Sequence, residues 1–306
     1  MSLKAVIDLG TNTFHLLIAN VASGEREIVF RKQIPVKLGE GGINAGYIAD
    51  AAYARGLAAM QQIKTLLDDY RVATLSAFAT SAIRSAKNGA DFIKDVKTQT
   101  GITITMIDGD TEATYIFEGI RKSMPLSEEQ ILVMDIGGGS VEFIIGNKAG
   151  ISWKKSFDIG AARLVEQFHK SDPISPEEIE ALNNYLTEVL TPLKQACEQY
   201  KVSTLIGSAG SFESIADLIN EQFNEYYLEE DETWCELPIV KYKMVNEVLK
   251  QSTTKQRQQL KGLSNFRVEM MVVASLMIEF VINLVPIDTL MCSSYSLKEG
   301  VLLSEE

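Results

Sequence analysis

The feature that most constrains the fold of this chain is a segment that occurs twice. One copy reads Leu132-Val133-Met134-Asp135-Ile136-Gly137-Gly138-Gly139-Ser140-Val141-Glu142-Phe143-Ile144-Ile145-Gly146-Asn147. Two apolar runs rich in β-branched residues flank an acid, a glycine run and a serine, the pattern of two strands joined by a tight turn. The other copy, near the start, reads Ala5-Val6-Ile7-Asp8-Leu9-Gly10-Thr11-Asn12-Thr13-Phe14-His15-Leu16-Leu17-Ile18-Ala19-Asn20. When Asp8 is laid on Asp135, Gly10 falls on Gly137, Thr13 on Ser140, His15 on Glu142 and Asn20 on Asn147. A second pair follows at nearly the same offset: Ala79-Thr80-Ser81-Ala82 and Gly207-Ser208-Ala209-Gly210, each after a strand-like run. The repeat is far too long for a solenoid. It predicts two similar domains whose hairpins face one another across a cleft, where ligands commonly bind.

The turns suggest their ligand. Glycine lets a backbone approach a ligand closely and tolerates positive φ, and a row of turn N–H groups makes an anion-binding nest. Gly10, Thr11, Asn12 and Thr13 would hold one phosphate, and Gly137, Gly138, Gly139 and Ser140 another. Asp135 enters its turn and Glu142 leaves it, so a carboxylate stands on each side of a phosphate-sized hollow. With Asp8 as a third acid, this suits Mg²⁺ or another divalent cation, which takes one or two carboxylates together with phosphate oxygens and waters. The competing reading is two plain glycine hairpins in which Asp8 and Asp135 cap their own turns.

The Asp-Leu-Gly-Thr-Asn-Thr-Phe-His and Asp-Ile-Gly-Gly-Gly-Ser-Val-Glu pair resembles the exopolyphosphatase / guanosine pentaphosphate phosphohydrolase family of the actin, sugar-kinase and heat-shock-chaperone superfamily. Three further blocks agree in order: Ala79-Thr80-Ser81-Ala82-Ile83-Arg84, Gly109-Asp110-Thr111-Glu112-Ala113, and Ser296-Leu297-Lys298-Glu299-Gly300-Val301. The resemblance is to the short form of the family, without additional C-terminal helical domains. It implies an α/β fold of two similar ribonuclease H-like (actin-like ATPase) domains, each a mixed sheet flanked by helices, with an interdomain cleft. The expected division is 1–124, completed by a C-terminal helix at 295–306, and 125–294.

The resemblance also implies the chemistry: Mg²⁺-dependent release of terminal orthophosphate from inorganic polyphosphate, or of the 5′-phosphate of guanosine pentaphosphate. Glu112 falls on the family's catalytic glutamate, to orient or deprotonate the attacking water. Taken bare, a glutamate in a first helical turn merely complements the helix dipole. The family commonly has Glu-Glu-Ala-Arg there, where this chain has Thr111-Glu112-Ala113-Thr114. Arg84 matches the family's arginine after the Thr80-Ser81 turn and offers planar, multidentate contact to phosphate. Gly207 and Ser208 resemble the superfamily loop that faces a nucleotide or a further phosphate. Arg267 and Lys298 are candidate basic contacts. With no serine or cysteine nucleophile constellation, direct attack by water is expected. The alternatives are a superfamily ATPase or kinase, and a non-enzymatic sensor of polyphosphate or alarmone.

Of 306 residues, 46% are hydrophobic and 23% charged, the profile of a globular protein. The net charge of −12 argues against a nucleic-acid partner; it also requires local basic residues, a cation and backbone N–H groups to attract a polyanion. No run suits a membrane span. The scattered Cys197, Cys235 and Cys292 read as reduced and structural, which favours a cytoplasmic protein. A homodimer is plausible.

Elsewhere, periodicity predicts helices over 49–70, 91–97, 161–170, 176–200, 212–220 and 266–284, with Ser175 as cap before Pro176. Asp110 is a candidate cap for a helix reaching Lys122. Residues 102–107 read as a strand and 80–87 as a turn. His15 is expected to be packed or hydrogen-bonded, and the acidic run 229–232 to be a solvated loop.

Overall fold

The computed structural model describes residues 2–21, 27–208, 210–228 and 232–304. The first sheet holds β1 (Leu3–Leu9), β2 (Thr13–Asn20), β3 (Glu27–Pro35), β4 (Thr74–Ala79) and β5 (Thr105–Met106), in the order β3-β2-β1-β4-β5. β1, β2 and β3 form an antiparallel meander, while β4 and β5 run parallel to β1. The second sheet holds β6 (Ile131–Ile136), β7 (Val141–Asn147), β8 (Gly150–Phe157), β9 (Thr204–Ser208), β10 (Trp234–Glu236) and β11 (Thr289–Ser293), in the order β10-β11-β9-β6-β7-β8. There β6, β7 and β8 are the antiparallel meander and β9 and β11 run parallel to β6. The repeat read from the sequence is therefore a repeat of topology. It extends to register, since Asp8 pairs with His15 and Asp135 with Glu142.

The near-continuous apolar runs of β1 and β6 follow from burial on both faces of a sheet covered by helices. On one face of β1, Ala5, Ile7 and Leu9 join the core with Phe92 and Met60 from α3 (Gly89–Thr100) and α1 (Asp50–Asp69). On the other, Val6 packs between the sheets, with Ile116, Phe117 and Ile120 of α4 (Gly109–Ser123) and Val133 and Ile144 of the second sheet. Burying a side chain such as Phe117 contributes roughly 1.5–3 kcal/mol. The final helix of the chain, spanning Leu297–Ser304, returns from β11 to this same layer and supplies Leu297, Val301 and Leu302. It meets α4 backbone to backbone, because a Cβ on Gly300 would stand 1.7 Å from the Tyr115 carbonyl oxygen.

The remaining helices are α2 (Ser81–Ser85), α5 (Ala161–Phe168), α6 (Pro176–Val189), α7 (Thr191–Tyr200), α8 (Gly210–Phe223), α9 (Ile239–Gln251), α10 (Thr254–Arg257) and α11 (Met271–Leu284), and Leu297–Ser304 is α12. Ser175 caps α6 in a full capping box with Glu178. Several boundaries differ from expectation, and the helix expected over 176–200 breaks at Leu190 into α6 and α7. Asp108 caps α4, its carboxylate accepting from Thr111 N at 2.7 Å, and Asp110 lies inside the first turn. The 80–87 turn contains α2. The 102–107 strand shrinks to Thr105–Met106, because β4 offers it only Phe78 and Ala79 as ladder partners; Ile102, Ile104 and Ile107 are nevertheless buried. The helix expected from 266 begins at Met271, and the turns before it carry Arg267 and Met270 to the cleft. Residues 229–231 of the acidic run lie outside the described residues.

Candidate active site

The two hairpin turns touch. A Cβ on Gly139 would lie 2.6 Å from both Ser81 Oγ and Thr11 Oγ1, and one on Gly138 would lie 3.0 Å from Thr11 Cβ. None of Gly10, Gly137, Gly138 or Gly139 has a positive φ. Glycine is required here by close approach, not by backbone conformation. The turns are fixed from behind: Val36 N and Lys37 N donate to Asn12 O at 2.9 and 2.8 Å, and Ala161 N and Ala162 N donate to Gly137 O and Gly138 O, each at 2.9 Å. In a planar trans peptide the N–H points opposite its carbonyl. The N–H groups of Thr13, Gly138 and Gly139 are therefore turned away from those donors, in the manner of a nest.

Gly10, Thr11, Asn12 and Thr13 line the cleft between the sheets, as do Gly137, Gly138, Gly139 and Ser140. Asp8, Glu112, Asp135 and Glu142 line it too. Asp8 and Asp135 stand next to last in equivalent strands, Glu142 is second in β7, and the Asp108 cap sets the start of the helix that presents Glu112. Burial dominates their electrostatics. It lifts Asp8 to about 7, with Lys298 opposing and Asp135 and Glu299 adding to the rise. It lifts Asp135 to about 6 against the bond from Ser208 and the charge of Lys298. Glu142 rises to about 7 through burial and the nearby Asp135, with Ser156 and Ser140 opposing. Glu112 is pushed well above the usual glutamate value by burial and by Glu142, while Arg84 opposes.

Clustered carboxylates whose ionisation is opposed by burial and by one another mark a candidate functional site. Four buried polar atoms on the cleft wall have no hydrogen-bond partner: Asp8 Oδ1, His15 Nδ1, Ser81 Oγ and Glu299 Oε1. An orphaned buried carboxylate oxygen suits a hard cation. Among the described residues no three His, Cys, Asp or Glu side chains are grouped so as to hold a metal by themselves.

Three expected contacts stand behind the wall rather than on it. Arg84 donates from Nη1 to Glu112 Oε2 at 3.0 Å and to Ile107 O at 2.9 Å. Ser208 Oγ donates to Asp135 Oδ2 at 2.7 Å. Gly207 lies under the Phe212 ring, 1.9 Å from where its Cβ would be. The first turn of α8 instead reaches the cleft through Gly210, Ser211 and Glu213. Ala209 lies outside the described residues. Arg267 and Lys298 are both on the wall; burial opposes the charge of Lys298, but Glu299, Glu213 and Asp8 sustain it. His15 is packed, as expected. Its ring faces the cleft with Nδ1 unpartnered, and burial together with Lys298 and Arg267 keeps it neutral.

Sequence reasoning missed three residues. Ser156 Oγ donates to Glu142 Oε1 at 2.6 Å. Glu299 is buried on the wall, and its Oε2 accepts from Ser296 N at 3.0 Å; its place in the Ser-Leu-Lys-Glu-Gly block was the available signal. Arg163 of α5 ties the 137–140 turn to the first half of the chain, donating to Gly139 O at 2.8 Å, to Ile43 O at 2.9 Å and to Ser85 Oγ at 3.0 Å. Nothing local in the sequence marks that role.

The model of the Ppx/GppA phosphatase family matches residues 17–306. An exopolyphosphatase from Cytophaga hutchinsonii is 38% identical with a TM-score of 0.95, over 98% of this chain and 96% of that one. The Aquifex aeolicus PPX-GPPA enzyme is 26% identical with a TM-score of 0.80, over 99% of each chain. A bifunctional 3-dehydroquinate synthase/phosphatase of Fusobacterium nucleatum is 40% identical over 174 residues; the match covers 54% of this chain and about a quarter (26%) of that longer protein.

Proposed function

We propose, from the premise that this chain belongs to the Ppx/GppA phosphatase family and is a hydrolase, that it removes terminal orthophosphate from inorganic polyphosphate. The 5′-phosphoanhydride of guanosine pentaphosphate presents the same bond and is the second substrate. The observation that carries the reading is the meeting of the two glycine turns at a cleft shared with Glu112 and with the orphaned Asp8 Oδ1.

In this mechanism the turn N–H groups and Lys298 hold successive phosphates and spread their charge, so that the terminal phosphorus is held in line with water. Glu112 takes the proton of the attacking water. The new O–P bond forms as the bridging P–O bond breaks, and the shortened chain leaves with the bridging oxygen. A base works best when its pKa lies near the working pH, and burial raises Glu112 in that direction. Arg84 fixes Oε2 and leaves the other carboxylate oxygen for water. Asp8, Asp135 and Glu142 would hold Mg²⁺, which would neutralise charge developing on the phosphoryl oxygens.

The test is phosphate release by the purified protein with Mg²⁺ over a panel of short and long polyphosphates and guanosine pentaphosphate. Release without any acceptor supports the hydrolase. Binding without turnover favours the sensor that Thr111 and Thr114 leave open, and transfer of phosphate onto an added acceptor without free phosphate favours a kinase.

A further inference from the structure

Two of the three cysteines, distant in the sequence, are neighbours in the fold. Cys235 of the edge strand β10 lies directly opposite Cys292 of β11 in antiparallel register. Leu237 N donates to Leu290 O at 2.8 Å and Ser294 N donates to Thr233 O at 3.0 Å. By alternation these bonds put Cys235 and Cys292 at a hydrogen-bonded position, where Cα atoms stand about 5.5 Å apart. That separation is within the 4.4–6.8 Å or so that a disulfide spans. Both thiols are free and buried, on the same face of the sheet. We propose that Cys235 and Cys292 form a reversible intramolecular disulfide, a redox modification site on the edge of the second sheet.

The chemistry favours one order of events. Contact between the two thiols lowers Cys235 below the ordinary thiol value, and the same contact together with burial pushes Cys292 well above it. The thiolate is the nucleophile in exchange. With a low-molecular-weight disulfide as oxidant, Cys235 attacks one of its sulfurs and releases a first small thiol. Cys292, losing its proton, then attacks Cys235 Sγ of the mixed disulfide and releases the second. Two S–H bonds are lost, one protein S–S bond forms, and the oxidant takes up both protons and both electrons as two thiols. β10 is a three-residue edge strand, so an attacking reagent need displace little backbone to reach Cys235. The cross-link would pin β10 where this edge of the sheet already meets the end of α4: Ser293 Oγ of β11 donates to Ser123 Oγ at 2.9 Å and Thr233 Oγ1, just before β10, to Ser123 O at 2.6 Å.

The experiment treats the native protein with oxidised glutathione, counts free thiols and maps peptides without reduction. The expected result is loss of two of the three thiols, a Cys235–Cys292 linked peptide, and full recovery with dithiothreitol. Cys292→Ser should halt at a glutathione adduct on Cys235. The proposal is overturned if all three thiols of the native protein stay reduced, or if its Cys235 carries a lasting adduct with no linked peptide.

Discussion

Arg84 Nη1 stands 3.0 Å from Glu112 Oε2, and both side chains are largely withdrawn from solvent. The arginine that the motif suggested for phosphate is aimed at Glu112, the base of the proposed mechanism, so it acts on the ionisation of that carboxylate. Glu112→Gln should lower kcat by roughly 10²–10⁴-fold with little change in KM, the usual contribution of a general base. Arg84→Met removes the cation that opposes the rise of Glu112. The acid limb of its kcat–pH profile should therefore move to higher pH, because the base stays protonated longer. An unmoved limb would show that Arg84 does not set the ionisation of Glu112.

Asp8 Oδ1 is buried without a partner. Chelation by EDTA should abolish phosphate release and added Mg²⁺ should restore it. Asp8→Asn should raise the Mg²⁺ concentration for half-maximal activity by at least about tenfold, the scale on which even outer-shell changes weaken metal sites. A Mg²⁺ titration equal to that of the unmodified protein would remove Asp8 from the metal site.

The contact between hairpins makes Gly139 intolerant of a side chain. Gly139→Ala puts a methyl 2.6 Å from Ser81 Oγ and Thr11 Oγ1. Overpacking of this kind costs roughly 1–3 kcal/mol. The expected result is a fall in Tm of several degrees and a kcat/KM reduced beyond tenfold, since the turns must part. Ser81→Gly added to the same chain should recover part of both losses. Unchanged kinetics in Gly139→Ala would mean that the spacing of the turns is irrelevant to turnover.

Far from the cleft, Glu178 closes the capping box of α6. Burial tends to raise its pKa, but hydrogen bonds from Ser171, Ser175 N and Lys170 N outweigh it and bring it to about 2. A carboxylate depressed in the folded state stabilises above its unfolded pKa, near 4.5, and that contribution is lost as pH falls toward about 2. Thermal melts should show the gap between the parent protein and Glu178→Gln to be full at pH 6 and to narrow steadily below the unfolded value. A gap independent of pH would contradict the assignment.

The sequence by itself determined the two hairpins, their duplication, and the placement of Asp8 and Asp135 at equivalent strand positions. These depend on short-range rules: alternation and β-branching for strands, small residues for turns, and identical patterns giving identical topology. Gly10, Thr11, Asn12 and Thr13, the 137–140 turn, and the acids Asp8, Glu112, Asp135 and Glu142 were readable for the same reason, helped by the family resemblance for Glu112. Only the tertiary structure decided that Arg84 serves Glu112, that Ser208 serves Asp135, and that Phe212 covers Gly207. It alone put Glu299 on the cleft wall, carried Arg163 to Gly139, Ile43 and Ser85, and set Cys235 against Cys292. Each of these depends on which helix covers which sheet face. That choice is made by burial summed over the whole core, and no local window of residues contains it.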